Sequence, residues 1–102
     1  MENKQRYKVS IIMTVYNAET TIGRAVESIL KQRTDDVDIE FILVNDGSTD
    51  SSMVVAERLI SERPYNSHIA YKSVELSENM GCGYARAVGI DTATGDYFMF
   101  LD

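Results

Sequence analysis

The chain has 102 residues, 44% of them hydrophobic and 25% charged, the balance of one soluble globular domain with a single core. Its net charge of −6 repels phosphate backbones and excludes a general nucleic-acid binder, while a small phosphorylated ligand neutralised by a metal ion or one aimed arginine remains compatible. A lone cysteine excludes a disulfide framework and fits a reducing, cytoplasmic setting.

Residues 1–7 read as a tail with no apolar signal core, so no secretory signal is expected, and no apolar run approaches the ~20 residues of a membrane span. "VSIIMTVY", Val9 to Tyr16, is a near-continuous β-branched and apolar run, the pattern of a parallel strand covered on both faces. "NAETTIGRAVESILKQ" follows, with Ile22, Ala25, Val26, Ile29 and Leu30 on one helical stripe, Asn17 as its expected N-cap and Glu19 as a favourable helix-start charge. "IEFILVN", Ile39 to Asn45, is a second buried strand. The charged stretch before it, "TDDVDIE", reads as a solvated connection at the opposite rim.

Met53, Ala56, Leu59 and Ile60 mark a second amphipathic helix, opened by hydroxyls and Asp50 and stopped by Pro64. "HIAYKSVEL", His68 to Leu76, alternates and reads as a third strand nearer an edge, with His68 solvated before it. A glycine-containing loop leads to a helix from about Gly83 to Thr92, and "DYFMFLD" is a fourth strand. The order βαβαβαβ predicts an α/β fold, a Rossmann-like parallel sheet with helices on both faces.

Ligands of such sheets bind outside the carboxyl ends of the strands, where strand order reverses. The first strand ends in Thr14, Val15, Tyr16 and Asn17, the second in Asn45, Asp46 and Gly47, the fourth in Asp102. Asp46 reads either as a chain-reversing Asp-Gly turn or as an acceptor for a ring N–H. Tyr16 reads either as strand-end packing or as a stacking face for a planar base. Glu19 is a helix-start charge or a ligand contact.

In "SENMGCGYARAVGID", Gly81 and Gly83 resemble the start of a dinucleotide fingerprint. Arg86 stands where a third glycine belongs, however, and the loop follows the third strand, which excludes a nicotinamide cofactor. The glycines instead allow close approach of an anion to a helix start, with Arg86 reaching a phosphate or pairing with a nearby acid. Cys82, with no histidine or second cysteine near it, is a small residue in a tight loop.

"VSIIMTVYNAETTIGRAVESIL", "FILVNDGSTDSS", "NMGCGYARAVGI" and "GDYFMFLD" together resemble glycosyltransferase family 2, enzymes of the GT-A fold. The likeness runs from Lys8 onward and makes residues 8–102 the nucleotide-sugar-binding half of such a domain. It implies an inverting transferase moving a sugar from a nucleotide-diphosphate sugar, expected to be UDP-linked, to a glycan or lipid-linked acceptor, with Mg²⁺ or Mn²⁺ as cofactor. It implies base contacts at Thr14, Val15, Tyr16, Glu19, Asp46 and Gly47, sugar and phosphate contacts at Gly81, Gly83 and Arg86, and ribose and metal contacts at Asp102, the first acid of the DXD motif.

Two positions depart from the family pattern. Asn45 stands where many members carry a second aspartate, which implies a weaker ribose or base contact, and Val88-Gly89 follow "ARA" where asparagine is common. The resemblance places the second DXD acid, the acceptor site and the catalytic base beyond Asp102, so this piece is expected not to turn over substrate. Contact of the longer protein with a membrane surface stays open. The alternatives are a nucleotidyltransferase-like or non-catalytic nucleotide-binding module and, further off, a receiver-type signalling domain. "TVYNAETT" lacks the glycine-rich basic loop of the first, and Tyr16-Asn17 replace the adjacent acids of the last.

Overall fold

The computed structural model describes residues 6–101. Strand β1 (Tyr7–Val15), helix α1 (Ile22–Leu30), strand β2 (Val37–Asp46), helix α2 (Ser52–Glu62), strand β3 (Ile69–Leu76), helix α3 (Cys82–Thr92) and strand β4 (Tyr97–Phe100) follow one another in the expected alternation. The strands form one parallel sheet in the order β3-β2-β1-β4. The chain therefore steps outward from β1 to β3, then returns across the sheet to lay β4 on the far side of β1. Strand order reverses there, beside β1.

The sheet is covered on both faces because strand residues alternate. Ile11, Met13 and Val15 of β1 and Ile39, Phe41 and Leu43 of β2 point to one side, where they meet Ile22, Val26 and Ile29 of α1 and Ala56 of α2. Ile12, Ile42 and Val44 point to the other and meet Ala85 of α3. Register places Ile11 opposite Phe41 and Ile12 opposite Ile42, so the two central strands are buried in phase and read as unbroken apolar runs. Gly23 lies where α1 meets α2: a Cβ there would stand 3.5 Å from Leu59 Cδ1, at ordinary contact distance.

Strand β3 lies at one edge, as its alternation predicts, and β4 at the other. Among the described residues, strand β4 pairs only with β1 residues Val9–Ile12, and Tyr97, Phe98 and Met99 are half or more exposed.

Four expectations are corrected. Asn17 does not cap α1. It has φ 46°, in the left-handed region, and α1 begins at Ile22 with Thr21 before it. The chain needs this turn to cross from β1 to the α1 side, and Asn17 Oδ1 accepts the Thr49 N–H at 2.8 Å instead. Glu19 is a helix-start charge, but for a different helix: its carboxylate accepts the N–H of Ser51, the residue before α2, at 3.1 Å.

The acids of "TDDVDIE" are also not solvated throughout, because β2 already begins at Val37. Asp38 takes the Arg6 Nε–H at 3.1 Å and lies 2.8 Å from His68 Nδ1, so His68 is paired too. Glu40 is fully buried. Its carboxylate accepts from the Ser10 hydroxyl at 2.7 Å, the Thr94 amide at 2.8 Å and the Thr94 hydroxyl at 2.7 Å, with Lys72 Nζ at 2.5 Å. Burial alone would push its pKa up. The bonds from Lys72, Thr94 and Ser10 outweigh burial and hold the carboxyl well below its ordinary 4.5.

Candidate functional site

The carboxyl ends of β1 and β2 are one residue apart in length: Val15 pairs with Asn45, and Asp46 pairs with Leu76 of β3. The loops that leave them are therefore adjacent and are stitched together by short polar side chains. Asn17 N–H donates to Ser48 Oγ at 3.0 Å, Ala18 N–H to Ser52 Oγ at 2.7 Å, and Glu19 N–H to Asp50 Oδ2 at 3.2 Å. The hydroxyl-rich "GSTDSS" is thus a seam between two strand ends. The Ser52 hydroxyl and the amides of Ser52 and Glu19 hold Asp50 below its ordinary carboxylate value, against an upward push from burial.

Tyr16 projects from this seam, 51% exposed, while Val15 before it is buried in the core at 2%. Val15 can therefore offer a ligand its backbone and not its side chain. Thr14, half-buried one residue earlier, has its hydroxyl 3.8 Å from Cys82 Sγ at the start of α3. The seam and the α3 loop are brought within reach of one another on either side of the end of β1.

Asp46 joins that loop to the strand ends. It is 3% exposed, and its carboxylate accepts from Met80 N–H at 2.7 Å, Gly81 N–H at 3.1 Å and Asn79 Nδ2 at 3.2 Å. Gly47, at φ 72°, permits the approach: a Cβ there would lie 2.4 Å from Asn79 N. Gly81, at φ 95°, turns the chain into α3, and nothing stands within 4 Å of where a Cβ of Gly81 or Gly83 would lie. The two amides at 80 and 81 face Asp46 and not an outside anion. Any phosphate at this helix start must use later donors.

Arg86, one turn into α3, lies with its guanidinium 5.3 Å from the centre of the Phe100 ring at the end of β4. Its charge is thereby placed on the β1–β4 side of the crevice, at the point of strand reversal. Asp102 lies outside the described residues. Among those described, no three His, Cys, Asp or Glu side chains come together as a metal-binding group. The described residues alone do not fit a divalent ion.

Asn45 and Glu75 escaped sequence reasoning, although Asn45 drew notice as a departure. Asn45 is 8% exposed and turned inward: its Oδ1 accepts Ser48 N–H at 3.0 Å and its Nδ2 donates to Glu75 Oε2 at 2.6 Å. Through these two bonds it braces the turn. The signal was an Asn two residues before a Gly-Ser pair, the pattern of a side chain folding back on its own turn. No described helix is long and apolar enough to cross a membrane.

Comparison with known proteins extends this geometry. The chain is 42% identical over 95 residues to a teichoic acid poly(glycerol phosphate) polymerase of Staphylococcus epidermidis, covering 93% of this chain and 12% of that protein. It is 37% identical over 101 residues to the minor teichoic acid biosynthesis protein GgaB of Bacillus subtilis, covering 99% of this chain and 11% of that one. It thus spans about an eighth or less of the length of these two relatives.

Among solved structures it superposes on S. aureus TarS with a TM-score of 0.79 and 29% identity, over 93% of this chain and 16% of that one. It superposes on the mannosyltransferase PcManGT from Pyrobaculum calidifontis, in complex with GDP-Man and Mn²⁺, with a TM-score of 0.74 and 26% identity, over 89% of this chain and 26% of that one. The family profile described as Glycosyl transferase family 2 matches residues 10–102. With its reversed parallel sheet and its strand-end crevice, the chain belongs to glycosyl transferase family 2.

Proposed function

We propose that this chain is the donor-binding part of an inverting glycosyltransferase that uses a UDP-linked sugar and a glycan or lipid-linked acceptor. The observation that carries the reading is the placement of exposed Tyr16 beside Asp46 at adjacent strand ends, in the crevice where strand order reverses. Tyr16 offers a ring face to the base, with Thr14, the Val15 backbone and Gly47 around it. A carboxylate accepts about four hydrogen bonds, and three of those at Asp46 are taken by the 79–81 loop. One acceptor position remains, which suits the single ring N–H of uracil better than the paired donors of guanine.

Arg86 and the start of α3 at Gly81 and Gly83 serve the diphosphate side, and Glu19 holds the seam from which Tyr16 projects. In the reaction, an acceptor hydroxyl attacks the anomeric carbon, the bond from that carbon to the diphosphate oxygen breaks, and the diphosphate leaves with the electron pair. The hydroxyl proton passes to a base outside the residues described. Asp102 is the proposed contact to ribose and to Mg²⁺ or Mn²⁺. The described acids form no metal-binding group by themselves.

Titrating UDP into the chain while recording amide chemical shifts tests the site. The expected shifts fall on residues 14–19, 45–48 and 79–86, UDP binds more tightly than GDP, and Asp46→Ala removes the response. Shifts scattered over the opposite rim, at Asp38, His68 or Thr94, would refute the assignment. A preference for GDP would refute the base.

A further inference from the structure

Asn45, Glu75 and Ser48 lie in one connected line across three strand ends. Glu75, at the exposed end of β3, accepts from Asn45 Nδ2 at 2.6 Å. That bond fixes which way the Asn45 amide faces, so its Oδ1 turns to Ser48 N–H at 3.0 Å and shapes the turn at Asp46-Gly47. The Ser48 hydroxyl then grips β1 on both sides of one residue: it accepts Asn17 N–H at 3.0 Å and donates to the Val15 carbonyl at 3.4 Å. The residue between Val15 and Asn17 is Tyr16. Asn17 itself is held in its left-handed conformation, with Oδ1 taken by Thr49.

We propose that Asn45 and Glu75 are positioning residues for the base-stacking face of Tyr16, acting through Ser48 from two strands away. This rests on the nucleotide-site reading given above and deepens it, because it gives a role at that site to two residues held by each other and by the turn. It also accounts for asparagine at 45. An aspartate there would set a second carboxylate at 2.6 Å from Glu75 with no donor between them, whereas asparagine supplies an acceptor to the turn and a donor to Glu75. Positions 45 and 75 therefore form a matched pair, and their chemistry can be exchanged. An aspartate at 45 with a glutamine at 75 restores one donor and one acceptor in the reverse sense.

The test uses this chain with Glu75→Ala, with Asn45→Asp, and with Asn45→Asp combined with Glu75→Gln. Without ligand, the Tyr16 ring and Asn17 amide resonances are expected to move in both single variants and to return in the exchanged pair. UDP affinity is expected to fall about tenfold in each single variant, the scale of one charge-assisted hydrogen bond, and to recover in the pair. The proposal is overturned if Glu75→Ala leaves the Tyr16 and Asn17 signals unmoved, or if the exchanged pair is no better than Asn45→Asp alone. Glu75 is exposed, so Glu75→Ala keeps the test decisive even where Asn45→Asp fails to fold. Should the unmutated chain not bind UDP at all, the nucleotide reading falls, while the ligand-free resonances still decide the positioning role.

Discussion

With its carboxylate sealed beneath the connection from α3 to β4, Glu40 binds fewer protons in the folded chain than in the unfolded one. Its folded pKa is depressed, so its stabilisation is fully present above the ordinary 4.5 and is surrendered progressively as the pH falls below that value. Acid unfolding followed by circular dichroism is expected to show this loss, with Glu40→Gln giving a flatter pH dependence below 4.5. At neutral pH, Glu40→Ala strands the Ser10 and Thr94 donors and is expected to cost about 3 kcal/mol in urea unfolding, the low end for a broken buried pair because Lys72 is partly exposed.

Gly47 gives a second prediction at this scale. Gly47→Ala places a Cβ 2.4 Å from the Asn79 backbone at φ 72°, so the loop must move. About 2 kcal/mol of stability and the UDP response are expected to be lost together. The turn at Gly47 could be read from the chain alone, but not its contact with Asn79 or the burial of Glu40. Glu40, the second acid within "VDIEFILV", looks like the margin of a loop until Ser10 and Thr94, 30 and 54 residues away, are seen to receive it.

At the scale of elements, the strands and helices were legible because burial on both sheet faces leaves unbroken apolar runs and burial on one helix face leaves a stripe at 3.6-residue spacing. The starts of the helices were less so. Asn17 carries the residue type of a cap, yet the tertiary bond to Thr49 captures it. Helix α3 was legible in extent but not in how it is held. Two acids of β2 clamp it, Asp46 at the loop before its first turn and Glu40 at Thr94 just past its last.

Between those clamps Gly89 touches the sheet: a Cβ there would stand 2.4 Å from Ile12 Cγ2, a methyl on a fully buried, β-branched side chain. Gly89→Ala would gain about 1 kcal/mol in helix propensity. Overpacking costs about 1–3 kcal/mol and here has no flexible neighbour to absorb it, so a net loss is expected on thermal unfolding. A gain in Tm would show that α3 can lift away from the sheet.

For the molecule as a whole, charge sets a further expectation. The rim of the crevice carries Glu19, Asp50, Glu75 and Asp46 against Arg86, within a net charge of −6. A diphosphate approaching it is repelled at long range, and salt shortens that repulsion from about 30 Å at 0.01 M to about 8 Å at 0.15 M. UDP affinity measured in chelator is therefore expected to rise modestly with added salt, the reverse of a basic phosphate pocket. A steep fall would mean that Arg86 dominates. The family and its crevice were legible from four short blocks of residues. The braces that shape the crevice were not, because each joins side chains that meet only once the sheet has formed.

The uncovered outer strand has a consequence for the protein in solution. Tyr97 to Phe100 present a short uncharged ribbon of three aromatics and a methionine whose outer backbone groups face no neighbouring strand among the described residues. Such a margin is a template for further strands; its shortness limits recruitment, but it carries no charge or proline to oppose it. Left to itself at high concentration, the chain is expected to grow into oligomers by adding ribbon to ribbon, seen as a concentration-dependent rise in light scattering. A single lysine in place of Phe98 would act as a gatekeeper and keep it monomeric.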